Sequence, residues 1–491
     1  MRATGNRLRG LAVAAACVLA AALGTGSAWA HEQSAASPAV ASMRHIAWMP
    51  GFKAPGTPAR LNKVGVLKIG SPSARNVLVF EPGTSASSTY IVQLAQWLVR
   101  RLPGWQVWSV ERRQNLLEDQ SVLTLAKQGR ASASAVFDYY LGWLSDKRIT
   151  RHIALIPDPR VAYAKDWGLN VAMQDLRVVI GAARRLGGKV VLSGHSLGGA
   201  LVTAYASWNF RGRPGADDLA GLVFDDGASF GSAVSRAAAR AALAALRKPS
   251  ASPWGGVAGS ASSGPSIPTP LFGLFSTTGA LSAVQHPNAP VPAAVTAILP
   301  ASLKAPVPLT YRALFAFNTD VHTSPLGHMG DFAILAHEGK GIAPHAVNGV
   351  HGWDATGALT PPKRWATMLA GPSVAGADGV EWYFPYRLTL DIFDSLANGN
   401  ANAAQRVLGV HATMGKRLPH RLLMYAFGAA LGKSIEQATV ELAKQSGIPM
   451  ANLTLVARAG RYAHNDPAGA YPHNAFVTGL VHFLETVRAR G

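Results

Sequence analysis

Short runs of β-branched residues alternate with helix-period segments over residues 64–222 of this 491-residue chain. Four strands are predicted there, at residues 77–80, 105–110, 190–192 and 222–224. A helix is predicted over residues 171–186, with Asn170 as its N-cap. Parallel strands need a long crossover between them, usually a helix. The alternation therefore predicts an α/β fold, with a mostly parallel sheet and helices on both faces.

The same alternation returns near the carboxyl terminus. Strands are predicted at residues 422–427 and 453–457, and helices at 435–444 and 475–488. Residues 229–418 between the two regions are rich in Ala, Pro, Gly and Ser, with one Ala-rich helix predicted at 234–247. We expect a single sheet, with residues 31–228 as its N-terminal part and residues 419–491 as its C-terminal part. Residues 229–418, called the insertion below, would interrupt it.

The first 30 residues have the layout of a secretory signal peptide. A basic stretch with Arg2, Arg7 and Arg9 precedes an apolar run over residues 11–23, and the small-residue sequence Ala-Trp-Ala ends at Ala30. This pattern predicts export, with cleavage near Ala30. The only cysteine, Cys17, lies in this segment. Cleavage would leave a chain without cysteine, which excludes disulfides and thiol catalysis.

The chain is strongly basic, with 46 Lys and Arg against 26 Asp and Glu and a formal charge of +20. Removal of residues 1–30, which carry three arginines and no acid, would lower that charge to +17. Dense Lys/Arg blocks and interleaved basic and aromatic residues are not found, so no dedicated nucleic-acid binding is predicted. The dispersed charge instead predicts attraction to an anionic cell-envelope surface. The sequence gives no indication of oligomeric state.

A Gly-x-Ser-x-Gly sequence follows the strand predicted at residues 190–192. It reads Gly194-His195-Ser196-Leu197-Gly198 and leads into a predicted helix. In such a turn the serine hydroxyl is lifted above the sheet edge, and the two glycines let neighbouring backbone approach. Ser196 is therefore the predicted nucleophile.

A second Gly-x-Ser-x-Gly sequence surrounds Ser229, so the spacing alone does not identify the nucleophile. Two aspartates, Asp225 and Asp226, separate Ser229 from the preceding strand, and the low-complexity insertion begins directly after it. This context favours Ser196 over Ser229.

The elbow resembles that of the α/β-hydrolase superfamily, specifically its lipase- and esterase-like serine hydrolases. The resemblance covers residues 64–229 and 422–488, and it implies that the insertion is a cap or lid. It also implies acyl transfer from a carboxylic ester, with no cofactor and no metal. An amidase or peptidase with the same residues, and a non-catalytic envelope-binding protein on the same fold, remain alternatives.

In this superfamily the general base follows the last strand. The strand predicted at residues 453–457 is followed by a loop that contains His464, with Asp466 two residues later. His464 is therefore the predicted base. His473 and His482 are less suitable, because the first adjoins the final helix and the second lies within it.

The acid that orients the histidine usually follows the penultimate strand in this superfamily. Here residues 428–432 contain no carboxylate. Asp226, at the end of the strand that follows the nucleophile helix, is the preferred acid. Glu436 and Asp225 remain alternatives, although Glu436 also fits the first turn of a helix.

Two backbone N–H groups are predicted to bind the developing oxyanion. One belongs to Leu197, at the start of the nucleophile helix. The other belongs to Thr84 or Gly83, in the loop after the strand at residues 77–80. Pro82 in the same loop has no N–H to donate.

Histidines are concentrated in the insertion. Five of them are accompanied by four acids: His322, His328, His337, His345 and His351 with Asp320, Asp331, Glu338 and Asp354. The His-Glu-x-x-His motif is absent, and spacings of six to nine residues do not place these side chains on one helix face, so no metal site is predicted. The apolar composition of the insertion predicts a small-molecule or lipid-like ester as substrate.

Overall fold

A computed structural model describes residues 45–255, 269–299, 303–328, 333–371 and 374–490. Eight strands form one central sheet: β1 (Ala47–Pro50), β2 (Lys63–Ile69), β3 (Asn76–Glu81), β4 (Trp105–Glu111), β5 (Val190–His195), β6 (Gly221–Asp225), β7 (Leu423–Gly428) and β8 (Leu453–Ala457). Their order is β1-β2-β4-β3-β5-β6-β7-β8. The β1–β2 and β2–β4 pairs are antiparallel, and every other pair is parallel.

The described helices are α1 (Val92–Arg101), α2 (Ser121–Lys127), α3 (Ala133–Tyr140), α4 (Leu169–Arg184), α5 (Leu197–Ala206), α6 (Arg236–Arg247), α7 (Thr269–Gln285), α8 (Ala293–Ile298), α9 (Tyr311–Thr319), α10 (Pro325–His328), α11 (Pro362–Ala370), α12 (Tyr386–Ser395), α13 (Ala403–Leu408), α14 (Lys433–Gln445), α15 (Asp466–Gly469) and α16 (Ala475–Ala489). Two antiparallel pairs lie outside the central sheet: Asn209–Phe210 with Arg213–Pro214, and Gly341–Val347 with Val350–Asp354.

Helices cover both faces of the sheet, because alternate side chains of a strand point to opposite faces. On β3, Leu78 and Phe80 pack into one core with the apolar faces of α1 and α16. Val77 and Val79 pack into a second core with α4, α5 and α14. The predicted α/β class, with a mostly parallel sheet and helices on both faces, is confirmed.

Each of the six predicted strands is found, with ends that differ by up to three residues, whereas β1 and β2 have no counterpart among the predicted strands. The predicted N-cap Asn170 is wrong, because α4 begins one residue earlier, at Leu169. The Leu169 N–H donates to the Asp391 carboxylate at 2.9 Å. A side chain from α12, distant in sequence, therefore replaces a local cap.

The described part of the insertion contributes helices α6 to α13 and the hairpin of residues 341–354, and it adds no strand to the central sheet. Its predicted Ala-rich helix is α6, which Ser235 caps through the Ala238 N–H. Within the described ranges, none of the helices has both the length and the apolar character that crossing a bilayer requires. The predicted signal peptide and Cys17 lie outside those ranges.

Candidate active site

Ser196 occupies the turn between β5 and α5. Its φ of 57° and ψ of −127° lie where residues with a Cβ are seldom found, so the turn is strained. Two hydrogen bonds hold it: the Ser196 N–H donates to the Asp225 carbonyl at 3.0 Å, and the Gly199 N–H donates to the Ser196 carbonyl at 2.8 Å. The sequence motif has folded as the sharp strand-to-helix elbow that its spacing predicts.

The glycines of the motif allow backbone segments to meet around the serine. A Cβ on Gly194 would collide with the Gly198 carbonyl oxygen, and a Cβ on Gly198 would collide with the carbonyl oxygen of Glu81, the last residue of β3. A side chain at Gly194 would distort the elbow itself, and one at Gly198 would push the elbow away from the end of β3.

A hydrogen bond joins the side chains of His464 and Asp226. His464 Nδ1 lies 2.6 Å from Asp226 Oδ2, and both side chains are almost completely buried. A carboxylate can only accept, so Nδ1 carries the proton and Nε2 is the ring nitrogen that can accept one. His464 and Ser196 line the same pocket. The structure thus brings the predicted nucleophile, base and preferred acid together.

The second oxygen of Asp226 is held by the loop after β7. Oδ1 accepts from the N–H groups of Ala429 at 2.7 Å and Leu431 at 3.0 Å. These bonds orient the carboxylate toward His464 and satisfy it in the protein interior. The loop after β7 contains no carboxylate, but its backbone therefore holds in place the carboxylate of Asp226, the residue directly after β6.

The two alternative acids are placed differently. Glu436 lies in the first turn of α14 and is partly exposed. Asp225 is fully buried, and burial, followed by the charge of Asp226, raises the pKa of Asp225 well above its usual value. The bond at His464 Nδ1 favours Asp226.

His195, which sequence reasoning did not single out, connects the elbow to the histidine loop. Its Nε2–H donates to the His464 carbonyl oxygen at 2.8 Å, and its ring stacks on Tyr90 at 5.3 Å between centroids. Burial, and then the nearby His464 ring, lower the pKa of His195 well below its usual value. His195 therefore stays neutral beside the site. Its position directly before Ser196 in the motif is the sequence feature that could have indicated a role for His195 in the site.

The predicted oxyanion donors lie on the two segments next to Ser196. Leu197 is the first residue of α5, and Thr84 lines the pocket beside Gly83. A Cβ on Gly83 would lie 2.9 Å from Ser196 Cβ, so the loop passes directly over the nucleophile. This close approach is what an oxyanion hole requires of the loop.

The pocket at Ser196 lies between the sheet and the insertion. About 470 Å³ of space, including open solvent at its mouth, lies between the residues that line it. The insertion contributes an apolar wall of Phe272, Ile334, Trp365, Leu369 and Val380. Among the described residues that line it there is no Asp, Glu, Lys or Arg. The arrangement suits an uncharged, apolar group next to the serine hydroxyl.

The second motif serine lies outside the pocket, and the described residues of the insertion form no metal cluster. Ser229 Oγ accepts from the Asn398 N–H at 3.1 Å, and Ser229 is not among the residues that line the pocket. Among the residues the structure describes, no three His, Cys, Asp or Glu side chains are grouped so as to hold a metal ion. Asp331 lies outside the described residues.

One insertion histidine contacts the histidine loop. His337 Nδ1 lies 2.6 Å from Asp466 Oδ2, and the other oxygen of that carboxylate accepts from Thr360 Oγ1 at 2.8 Å. Although burial lowers the pKa of His337, the bond to Asp466 and the charges of Asp466 and Asp320 outweigh it, so its pKa is raised. Asp466 thereby joins the loop that carries His464 to the insertion.

We expect His337 to stabilise the fold more in acid than in base. The pKa of His337 is higher in the folded protein than in the unfolded chain. Between these two pKa values the folded protein binds more protons than the unfolded chain, so the free energy of unfolding falls as the pH rises through this range. The difference in melting temperature between wild type and His337→Gln should be larger at pH 5.5 than at pH 8.5. The exposed His345 provides the control. A difference that is flat with pH, or equally pH-dependent in His345→Gln, would contradict this expectation.

Comparisons with known proteins find distant similarities to solved structures. No protein-family model matches the chain, and no curated protein matches it significantly. Three solved structures illustrate the similarity. A protein from Sulfolobus solfataricus proposed to be a lipase is 14% identical, with 90% of this chain and 93% of that chain covered and a TM-score of 0.41.

The second, a monoglyceride lipase from Saccharomyces cerevisiae, is 9% identical over 94% of this chain and 99% of its own, with a TM-score of 0.36. The third, an esterase from Thermogutta terrifontis, is 13% identical over 90% and 99%, with a TM-score of 0.35. The chain's own strand order, with the serine elbow between β5 and α5, gives it the α/β-hydrolase fold.

Proposed function

We propose that the protein is a serine hydrolase that cleaves carboxylic esters through an acyl-enzyme on Ser196. The observation that carries this proposal is the bonded pair of His464 and Asp226 at the pocket that Ser196 lines. A structural glycine-rich turn would need neither a buried imidazole–carboxylate pair nor a strained serine beside it.

In the proposed reaction His464 Nε2 takes the hydroxyl proton as Ser196 Oγ attacks the ester carbonyl carbon. The carbonyl π electrons move onto oxygen, which the N–H groups of Leu197 and Thr84 stabilise. Collapse of the tetrahedral intermediate breaks the bond to the alcohol oxygen, and the imidazolium gives that oxygen its proton. Water then attacks the acyl-enzyme with the same proton transfers and releases the acid. Asp226 keeps Nδ1 protonated and stabilises the imidazolium throughout.

The pocket supports an uncharged acyl or lipid-like substrate. Its apolar wall comes from the insertion, and its polar side chains include Ser196, His464 and Thr84. A charged acyl group would lose its hydration without gaining a partner of opposite charge among the described lining residues.

A fluorophosphonate probe and a series of p-nitrophenyl esters of increasing chain length test the proposal. We expect the probe to modify the peptide that contains Ser196 and no other, and hydrolysis to be fastest at a definite chain length. Hydrolysis of matched p-nitroanilides at equal or higher kcat/KM would instead favour an amidase. No labelling and no turnover would leave a non-catalytic binding protein.

We further propose that the protein is exported and that its basic surface holds it to an anionic envelope. Export rests on the signal-like pattern of residues 1–30. The surface that we expect to bind the envelope is a row of arginines and aromatic rings, formed by Arg100, Arg101, Arg364, Trp97 and Tyr471. The Arg101 guanidinium lies 4.6 Å from the Trp97 ring centroid, and that ring lies 6.1 Å from Tyr471. Arg364 lies 4.7 Å from the Tyr471 ring.

None of the ion pairs within the described ranges involves Arg364, Arg101 or the neighbouring Arg100. Both α1 arginines are exposed, and the Tyr471 side chain is about half exposed. Arginines without carboxylate partners, next to amphipathic rings, suit the headgroup region of an anionic bilayer.

Reversing the charge at Arg100 and Arg101 together should weaken binding to phosphatidylglycerol vesicles by more than about 30-fold, because each lost basic residue contributes about 1 kcal/mol and the two introduced carboxylates are repelled by the surface. Vesicle co-sedimentation measures this effect. The control, Arg236→Glu with Arg240→Glu on the exposed face of α6, changes the net charge equally. Equal loss in both double variants would show that binding depends on total charge and not on this row.

A further inference from the structure

The loop of residues 82–88, called the oxyanion loop here, is held by the insertion as well as by the sheet. Residues 86 and 380 form an antiparallel bridge. The Ser87 N–H donates to the Gly379 carbonyl at 3.1 Å, and the Glu381 N–H donates to the Ser85 carbonyl at 2.9 Å. A segment about 300 residues later in the chain thus pairs with the loop that supplies Thr84.

On the side of the sheet the same loop is held by Glu111, the last residue of β4, which accepts from the Ser88 N–H at 3.1 Å, and by Arg112, which follows β4. Its guanidinium donates to the carbonyl oxygens of Pro82, Gly83 at 3.4 Å and Ala86 at 3.2 Å. These carbonyls lie on both sides of Thr84. One rigid, forked donor group therefore fixes the backbone on either side of the predicted oxyanion donor.

Two buried carboxylates hold that guanidinium. Glu381 Oε1 lies 3.1 Å from Arg112 Nη1, and Glu81 Oε2 lies 3.5 Å from Nη2. The other oxygen of Glu381 accepts from Gln114 Nε2 at 3.0 Å. All these side chains are at most 8% exposed. Burial, despite Arg112, raises the pKa of Glu81 to about 7.

We propose that Arg112 and the insertion residue Glu381 are positioning residues that set the oxyanion hole, so that the insertion completes the site as well as covering it. This inference rests on the proposed function. Neither side chain lines the pocket at Ser196, so neither is expected to touch substrate. Their effect should be on transition-state stabilisation, because a shift of the Thr84 N–H weakens its bond to the oxyanion more than it weakens ground-state binding.

Arg112→Lys tests the sheet side of this arrangement. An ammonium group keeps the charge, but it cannot span carbonyls on both sides of Thr84 as the guanidinium does. We expect kcat to fall about 100-fold, comparable to the loss of one oxyanion donor, while KM for a p-nitrophenyl ester changes less than threefold.

Glu381→Gln tests the insertion side with almost no change of shape. One Glu381 oxygen is ion-paired with Arg112 and the other accepts from Gln114, so a glutamine must point its NH2 group at one of these two donor groups. We expect kcat to fall about tenfold with an unchanged KM. This variant decides the question if Arg112→Lys does not fold.

Arg113→Lys is the matched control. Arg113 is equally buried and adjacent in sequence, but it pairs with Asp175 at 2.7 Å and donates to Phe52 and Asn62, away from the oxyanion loop. We expect it to lower the melting temperature and leave kcat unchanged. An equal fall of kcat in the control, or unchanged kcat in folded Arg112→Lys and Glu381→Gln, would overturn the proposal.

Amide hydrogen exchange separates this inference from the proposed function, because it requires no activity. The Ala86 and Ser87 amides donate to backbone carbonyls in the loop and the insertion. We expect them to exchange at least tenfold faster in Arg112→Lys than in wild type, and at the wild-type rate in Arg113→Lys. Unchanged exchange in Arg112→Lys would overturn the positioning role, whereas a wild type without Ser196-dependent hydrolysis would overturn only the proposed function.

Discussion

Ser196→Ala is expected to reduce ester hydrolysis by about 10⁶-fold, to the rate of non-covalent catalysis that remains in the pocket. The hydroxyl oxygen is the atom that forms the acyl-enzyme, and no other group on the elbow replaces it. Steady-state hydrolysis of the preferred p-nitrophenyl ester measures the loss. Fluorophosphonate labelling should disappear in the same variant.

Ser229→Ala is the matched control, because Ser229 occupies the same position in the second Gly-x-Ser-x-Gly sequence. Its hydroxyl accepts one backbone N–H, so its loss should cost some stability and little activity. A hydrolysis rate that survives Ser196→Ala but not Ser229→Ala would reverse the assignment of the nucleophile.

The sheet could be predicted from sequence because its signals are local. The buried parallel strands read as short apolar runs, and each is separated from the next by a helix-period segment or a long insertion. The start of α4 could not be predicted in this way. Asn170 is a suitable local cap, but Asp391, more than 200 residues later, binds the first N–H of the helix. Such a contact leaves no periodicity in the sequence.

Ser196 and His464 could be predicted for the same local reason, since each belongs to a short motif next to a predicted strand. For the acid, the sequence could only rank the three candidates Asp226, Glu436 and Asp225, because the usual position after β7 has no carboxylate. What favours Asp226 is its hydrogen bond to His464 Nδ1, made by a carboxylate that the backbone N–H groups of Ala429 and Leu431 hold in place. These donors carry no sequence signal, because any residue but proline supplies one.

Arg112 and Glu381 show more clearly what the sequence alone could not predict. Arg112 is one of 46 basic residues, and Glu381 lies in a segment with no strand or helix signal. Their pairing depends on how the insertion folds back onto the loop after β3, which is a long-range contact. Only the folded chain shows that these two charges meet beside the predicted oxyanion donor.

Asp226→Asn is expected to lower kcat by about 10⁴-fold with little effect on folding. Asp226 Oδ1 accepts two backbone N–H groups, so an asparagine would keep its oxygen there and present its NH2 group to His464. His464 Nδ1 would then have to accept, and the ring proton would move to Nε2. A ring in that tautomer cannot take the Ser196 proton, so the base is lost although every side chain stays in place.

The pH dependence and a matched variant separate this explanation from simple destabilisation. Deprotonation of Ser196 by hydroxide does not need the imidazole, so the residual activity of Asp226→Asn should rise with pH above the range where the wild type levels off. Glu436→Gln, which removes the rival acid from the first turn of α14, should retain most of the wild-type kcat. If Asp226→Asn keeps most of its turnover while Glu436→Gln or Asp225→Asn loses it, the acid is misassigned. The backbone N–H groups of Ala429 and Leu431 would then stabilise the buried Asp226 carboxylate without any role in catalysis.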